Sequence, residues 1–361
     1  MISFWVTDAA RFGIETYRQN RGQAIGYRFR TELYDHVARG IQLRHGPQIF
    51  AALDQLTDTQ RQVVAAIWDA HAQVAPAATR LNDPRRVLRR FDLLHKLHQL
   101  GMNRFRVWRA TDVGDVDRFP VFVRLESDHG GPATGLLTTQ RDVVSALRAL
   151  RLRGRGLQNL IIVEFLDTMG PDRWFRKYSA FRVGDSIIPC HAMVSREWSV
   201  KSEHNRPDEL KIREEAAFIE SNPHEAWLRR VFDVAGIGYG RVDYGVVDGL
   251  PQVWEINLNP TLGRASGRGQ GSLPPELRTL RDRGREAFHD RLKAAFVAID
   301  TSPDERETTI RIEETLLSRL QGEEVADQRR QSRLTWLKRL YRHPTLGKAA
   351  RFAYRTVFPP R

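Results

Sequence analysis

The stretch "YGRVDYGVVDGLPQVWEINLNP", residues 239–260, constrains this chain more than any other. Two apolar runs meet at Asp248-Gly249, a dipeptide that suits the two-residue turn of a β-hairpin. Side chains two apart on a strand share a face, so Glu255 and Asn257 point the same way, and Asn259 joins them if the strand persists. Counting outward from the turn brings Asp243 of the first strand close to Glu255 of the second. A carboxylate from each strand plus an amide oxygen makes a hard, all-oxygen face of the kind that holds Mg²⁺ while phosphates and water complete its shell. A plainer reading of the same residues also stands: Asn259-Pro260 is a turn, Glu255 pairs with an arginine and Asp243 caps a strand end.

The regions upstream give a consistent order of elements. "DTQRQVVAAIWDAHAQ" (58–73) repeats Val63, Ala66, Ile67 and Ala70 at helical spacing. In "NDPRRVLRRFDLLHKLHQLG" the pattern predicts a helix with Asp83 as N-cap, Pro84 at its first position and Gly101 as its stop, burying Val87, Phe91, Leu94 and Leu97. Residues 118–137 read as a hairpin with a glycine-containing tip. Thr139 and Asp142 form a capping-box pattern for a helix that ends at Gly154. Strands follow at 159–166 and 176–194, the latter broken at Gly184-Asp185, then a helix over 224–236. This order of helices and strand pairs predicts an α+β domain with antiparallel sheets, not a strict βαβ alternation. Helices are expected near 275–299 and up to about 321.

Charge is unevenly placed. The 361 residues carry a formal +13, yet residues 329–361 hold ten Lys/Arg and no Asp or Glu, which leaves only +3 on the rest. Nucleic-acid binding is therefore not expected of the body. The tail interleaves its bases with Trp336, Leu337, Tyr341, Phe352 and Phe358, a composition suited to an anionic membrane surface, to RNA or to an acidic partner, or to packing back on the body. One cysteine, Cys190, excludes an intrachain disulfide, and no apolar run approaches membrane-spanning length. Cytoplasmic placement, with the inner membrane face as a peripheral site, is the expectation. Cys190 reads as a small apolar filler within a strand, and His191 as a structural histidine. Neither GxSxG nor GxxxxGK[ST] occurs.

From about 81 to 263 the chain resembles the ATP-grasp superfamily, in the order "NDP", "LHQLG", "FPVFVR" with its glycine loop, "LIIVEFL", "RKYSAFRVGD" and "GRVDYGVVDG…VWEINLNP". The resemblance implies an α+β ATP-grasp fold of two subdomains with antiparallel sheets gripping ATP. An N-terminal accessory domain (1–80) precedes the ATP-grasp domain (81–270); C-terminal helices (271–325) and the basic aromatic tail (326–361) follow. It implies a Mg²⁺- or Mn²⁺- and ATP-dependent ligase that activates a carboxylate, borne by a small molecule or a polymer, as an acylphosphate for attack by an amine.

Residue by residue, Asp243, Glu255 and Asn257 would hold the metal, and Glu164 with the backbone of Phe165 and Leu166 would meet adenine, with Asp167 toward the ribose. The loop "SDHGGPATG", through His129, Gly130 and Gly131, would cover the triphosphate. Lys177 and Arg196 are the catalytic candidates, and Arg264 and Arg268 the substrate candidates. Two positions depart from the family: Arg124 stands where the nucleotide-binding lysine is usual, and Arg90 or Lys96 must serve for the lysine of the preceding helix. Arginine keeps the charge but presents a planar fork instead of a compact ammonium. Two alternatives follow, a non-catalytic nucleotide-binding module and an anionic-surface or nucleic-acid binder acting through the tail.

Overall fold

The computed structural model describes residues 1–128, 130–201, 205, 208–262, 273–300 and 306–323. The described residues form two compact units: one from Met1–Arg104 and Leu166–Ile312, the other from Phe105–Phe165 and residues 313–323.

The first unit opens on β1 (Ile2–Val6), α1 (Phe12–Gln19), β2 (Phe29–Leu33), β3 (Ile41–Arg44), β4 (Gln48–Phe50), α2 (Asp58–Val74), β5 (Arg80–Leu81) and α3 (Arg90–Gln99). Strands β2-β1-β4-β5 form a sheet with every pairing parallel. Every residue of β1 is buried, as in a parallel sheet covered on both faces. α2 carries a full capping box between Thr57 and Gln60.

α3 departs from expectation. It starts at Arg90, not at Pro84, and Asp83 instead closes a turn by accepting the Arg85 N–H at 3.0 Å. The Leu88 N–H donates to the Ala235 carbonyl at 2.9 Å, so a neighbouring segment takes a backbone group that a continuous helix would use. The buried stripe becomes Arg90, Leu93, Leu94 and Leu97, with Phe91 only half-buried. Gly101 does end the helix, at φ +69°.

The second unit contains β6 (Val107–Arg109), β7 (Val121–Leu125), α4 (Gln140–Leu152) and β8 (Leu160–Glu164). Its sheet, β6-β8-β7, is antiparallel. The expected hairpin over 118–137 is reduced to one bridge, Val121 with Leu137, because β7 takes β8 as its main partner. The Thr139–Asp142 capping box forms as the spacing implied, and Val143, Leu147 and Leu150 of α4 cover Val121, Val123, Leu160 and Ile162.

The first unit then resumes with β9 (Phe175–Val183), β10 (Ser186–Ser195), α5 (Glu209–Ser221), α6 (Glu225–Ala235), β11 (Tyr239–Val247), β12 (Leu250–Asn257), α7 (Pro275–Ile299) and β13 (Glu307–Ile310), which pairs with β3. Strands β10-β9-β11-β12 form an antiparallel sheet. Both units are thus α+β with antiparallel sheets, as expected; the parallel N-terminal sheet and α5 were not foreseen.

One core joins the two sheets of the first unit. Phe4 of β1 meets Tyr239 of β11 edge-on at 4.9 Å, and Phe29 of β2 meets Phe296 of α7 at 5.0 Å. Buried Asn82, at φ +70°, donates to the carbonyls of Phe50 and Tyr239 and accepts from the N–H groups of Gly238 and Tyr239. These bonds pin the start of β11 and thereby fix where Asp243 sits. No helix among the described residues is long and apolar enough to cross a membrane.

Candidate functional site

Asp248 and Gly249 take φ values of +50° and +74°, the left-handed pair of a type I′ turn. A bulge between Asp243 and Tyr244 then shifts the register so that Asp243 lies opposite Glu255, and Arg241 opposite Asn257. On its other side Asp243 faces Ser179 of β9, with Lys177 two residues along. One sheet face therefore gathers Lys177, Ser179, Arg241, Asp243, Glu255 and Asn257.

Asp243 is 2 % exposed and fully engaged. Its Oδ1 accepts from Ser179 Oγ and Arg241 Nε, each at 2.9 Å, and its Oδ2 from Arg241 Nη2 at 3.3 Å, with Lys177 Nζ also 3.3 Å away. Burial pushes this carboxyl up, but the Arg241 and Lys177 charges outweigh burial and hold it at about 2. Glu255 is met by Arg90, the first residue of α3, whose Nη2 donates to Oε2 at 2.5 Å; the side chains are 12 % and 5 % exposed.

Asn257 Oδ1 accepts the Asn259 N–H at 2.8 Å. Asn259 does not join the face: β12 ends at Asn257, and the Asn259 amide donates instead to the Ala10 carbonyl at 2.8 Å. The donor set fits a hard cation, since every free-electron-bearing side-chain atom of Asp243, Glu255 and Asn257 suited to it is oxygen. Among the described residues no group of three or more His, Cys, Asp or Glu is placed to hold a metal, so these oxygens alone make a partial shell. Two carboxylates also face three cations, Lys177, Arg241 and Arg90. That balance favours an ion that arrives with phosphate over a bare one.

Of the other candidates in this unit, Lys96 is exposed on α3, and Asp167 Oδ1 accepts the Met169 N–H at 2.9 Å, close after Leu166. Arg196 stacks on Trp174, 4.1 Å from the ring centroid, and donates to the carbonyls of Asp172 and Arg173, which holds it to that loop. In the second unit, buried Arg124 donates to the Asp128 carbonyl at 3.1 Å, while Asp128 Oδ1 accepts the Gly130 N–H at 2.7 Å. The start of the glycine loop is thus tied to β7, and Gly131 takes φ +104°. Glu164 Oε2 accepts the Arg106 N–H at 2.8 Å, and the Phe165 N–H donates to the Pro120 carbonyl at 2.8 Å. His129, Arg264, Arg268 and the basic tail lie outside the described residues.

Sequence reasoning missed Arg241 and Ser179. The signal for Arg241 was present, because a base two residues before a metal-type Asp on a strand shares its face.

No protein-family model matches the chain, and no curated protein does. Solved structures align over most of its length: D-alanine–D-alanine ligase from Bacillus anthracis (13 % identity, 82 % of this chain and 98 % of that one, TM-score 0.45); D-cycloserine synthetase (16 %, 81 % and 100 %, TM-score 0.44); and a RimK domain ATP-grasp protein from Sphaerobacter thermophilus (13 %, 79 % and 100 %, TM-score 0.40).

Proposed function

We propose that this chain is a Mg²⁺- and ATP-dependent ligase that activates a carboxylate for attack by an amine. The observation that carries the reading is the register that sets Asp243 opposite Glu255, with Asn257 two residues on and Lys177 and Arg241 beside them. Asp243, Glu255 and Asn257 would hold the ion, which when bound supplies positive charge to the terminal phosphates. Following the sequence motifs, Arg124 with Gly130 and Gly131 would meet phosphate oxygens, and the segment from Glu164 to Asp167 the nucleoside.

In the reaction, an oxygen of the substrate carboxylate attacks the γ-phosphorus. The bond to the β–γ bridging oxygen breaks, and its electron pair leaves with ADP. The amine nitrogen then adds to the carbonyl carbon of the acylphosphate, phosphate departs, and the surplus amine proton passes to solvent. Lys177 and Arg241 stand where they would oppose the charge that builds on the transferred group; positioning and electrostatics do most of the work in such transfers.

Calorimetric binding of a non-hydrolysable ATP analogue, with Mg²⁺ and with chelator, tests this reading. Binding that needs Mg²⁺ and is lost in Glu255→Gln combined with Asn257→Ala supports it, as does failure of Mg²⁺ alone to bind. No nucleotide binding under any condition overturns it. The buried ion pair of Arg90 with Glu255 favours a second reading, a module that binds nucleotide without turning it over. Acid-dependent release of ADP from ATP separates the two, since only the ligase shows it.

A further inference from the structure

The second unit separates its charges along the chain. Residues 105–165 hold nine arginines and seven acids, yet the stretch 143–163 contains four arginines, Arg148, Arg151, Arg153 and Arg155, and no acid. The arginines of residues 105–124 are all engaged: Arg106 pairs with Asp117, Arg109 with Glu126 and Arg118 with Glu164, while Arg124 donates to the Asp128 carbonyl. The later ones are not. Arg141, Arg148, Arg151, Arg153 and Arg155 are exposed, and among the described residues none of the five has an acid within salt-bridge distance.

Helix geometry gathers these five. Val143, Leu147 and Leu150 form the buried stripe of α4 against its sheet. On the opposite side Arg141, Ser145, Arg148 and Leu152 follow one another at spacings of four, three and four residues, the repeat of a single helix face. That line is about 16 Å long. Arg151 stands beside Arg148, three residues along. After Leu152 the chain turns back: Gly154 takes φ +79°, its N–H donates to the Arg151 carbonyl at 2.9 Å, and the Arg155 N–H donates to the Leu150 carbonyl at 3.0 Å. The turn keeps Arg153 and Arg155 at the end of the helix, beside the last turn that carries Leu152, which is 60 % exposed.

Helix energetics explain only part of this arrangement. The negative end of the helix dipole favours bases in the last turn, which suits Arg151 and Arg153, but the effect falls off within that turn. Arg141 lies in the first turn, where the dipole opposes a cation. Five exposed like charges also repel one another, and Leu152 gains nothing from water. A partner that offers dense phosphate with an apolar layer beneath it answers both features, because the guanidinium fork matches phosphate and the leucine matches the layer below. Single-stranded nucleic acid fits less well, since it is held on aromatic platforms and residues 138–158 contain no aromatic side chain.

We propose that the outer face and C-terminal end of α4 form a docking surface for an anionic lipid bilayer, with the five arginines on headgroup phosphates and Leu152 at the boundary between headgroups and acyl chains. The buried stripe of α4 stays against its own sheet, so the contact is peripheral, electrostatic in strength and weakened by salt. The inference stands apart from the ligase reading and from the basic tail, which lies outside the described residues.

The test is co-sedimentation of the full chain with phosphatidylcholine vesicles, with and without phosphatidylglycerol, using two variants that lose the same charge. At about fivefold per arginine, Arg148→Gln combined with Arg151→Gln should lower partition onto phosphatidylglycerol vesicles by about 25-fold, and by no less than about fivefold. Arg230→Gln combined with Arg283→Gln, at two exposed positions of the first unit, should change it by no more than about twofold. In the unaltered chain, phosphatidylglycerol vesicles should slow phenylglyoxal modification of Arg148, Arg151 and Arg153, read by peptide mass, and phosphatidylcholine vesicles should not; this readout needs no variant to fold. Absence of phosphatidylglycerol-dependent binding, a smaller loss in the α4 pair, a comparable loss in the control pair, or unprotected arginines each overturns the proposal. So does a single-stranded RNA that protects the same arginines where the vesicles do not.

Discussion

Asp243→Asn removes the counter-charge from two buried cations, and its cost can be worked from the structure. The native carboxyl is held at about 2 against a usual 3.8, because Arg241 and Lys177 more than offset the effect of burial. At about 1.4 kcal/mol per pH unit, that difference stabilises the folded chain by about 2 kcal/mol at neutral pH. The sign follows from the depressed folded value: the contribution is fully present above the unfolded value of 3.8 and is lost as pH falls through the folded value of about 2. The asparagine variant loses this contribution and also leaves Arg241 and Lys177 facing an amide, so the total at pH 7 should reach about 3 kcal/mol or more. Urea unfolding of both chains, repeated from neutral pH down to about pH 3, measures the gap. It should be large at neutral pH and narrow toward the acid end, because the Asp243 carboxyl of the unfolded unaltered chain takes up its proton near 3.8 while the folded one stays ionised. A gap below about 1 kcal/mol at pH 7, or one of constant size over the whole range, would refute the claim that Asp243 is the buried counter-ion of both cations. The same variant should weaken the Mg²⁺ dependence of nucleotide binding, since it removes one of the two carboxylates of the site.

Arg90→Met should cost about 3 kcal/mol by stranding Glu255, whereas adding Glu255→Leu should recover much of that loss; unfolding of the single and double variants checks both. Thr139→Ala removes the side-chain acceptor of the Asp142 N–H and should cost about 1 kcal/mol, seen as faster amide exchange in the first turn of α4. His289 is lowered to about 4 by burial and nearby arginine and lysine charge. Stability should therefore fall as pH drops from 6.5 toward 4, because the unfolded chain takes up this proton first, and His289→Gln should flatten that slope in pH-dependent unfolding.

What the sequence disclosed and what it withheld divide on physical lines. The helix caps at Thr139 and Gly154, the Asp248-Gly249 turn and the alternating strands were readable, because each depends on residues close together in the chain. The N-terminal sheet was not, since "ISFWV" is buried on both faces and lacks alternation, and β4 and β5 are only three and two residues long. The helix expected at Pro84 failed because Ala235, far along the chain, accepts the Leu88 N–H.

The site shows the same division most sharply. Regular pairing outward from the turn, which sets Val246 against Pro251 and Tyr244 against Val253, would continue to place Trp254 opposite Asp243 and turn Glu255 to the other face. The bulge after Asp243 removes that one-residue mismatch, and Gly245 makes room for it: a Cβ there would stand 2.7 Å from the Trp254 ring. The second bulge, at Cys190, re-aims His191 in the same way. Thus the composition of the metal-type face is written in the hairpin, but its assembly depends on one extra residue in each of two strands. Alternation alone cannot reveal such a residue, because the pattern it would be read from is the pattern it breaks.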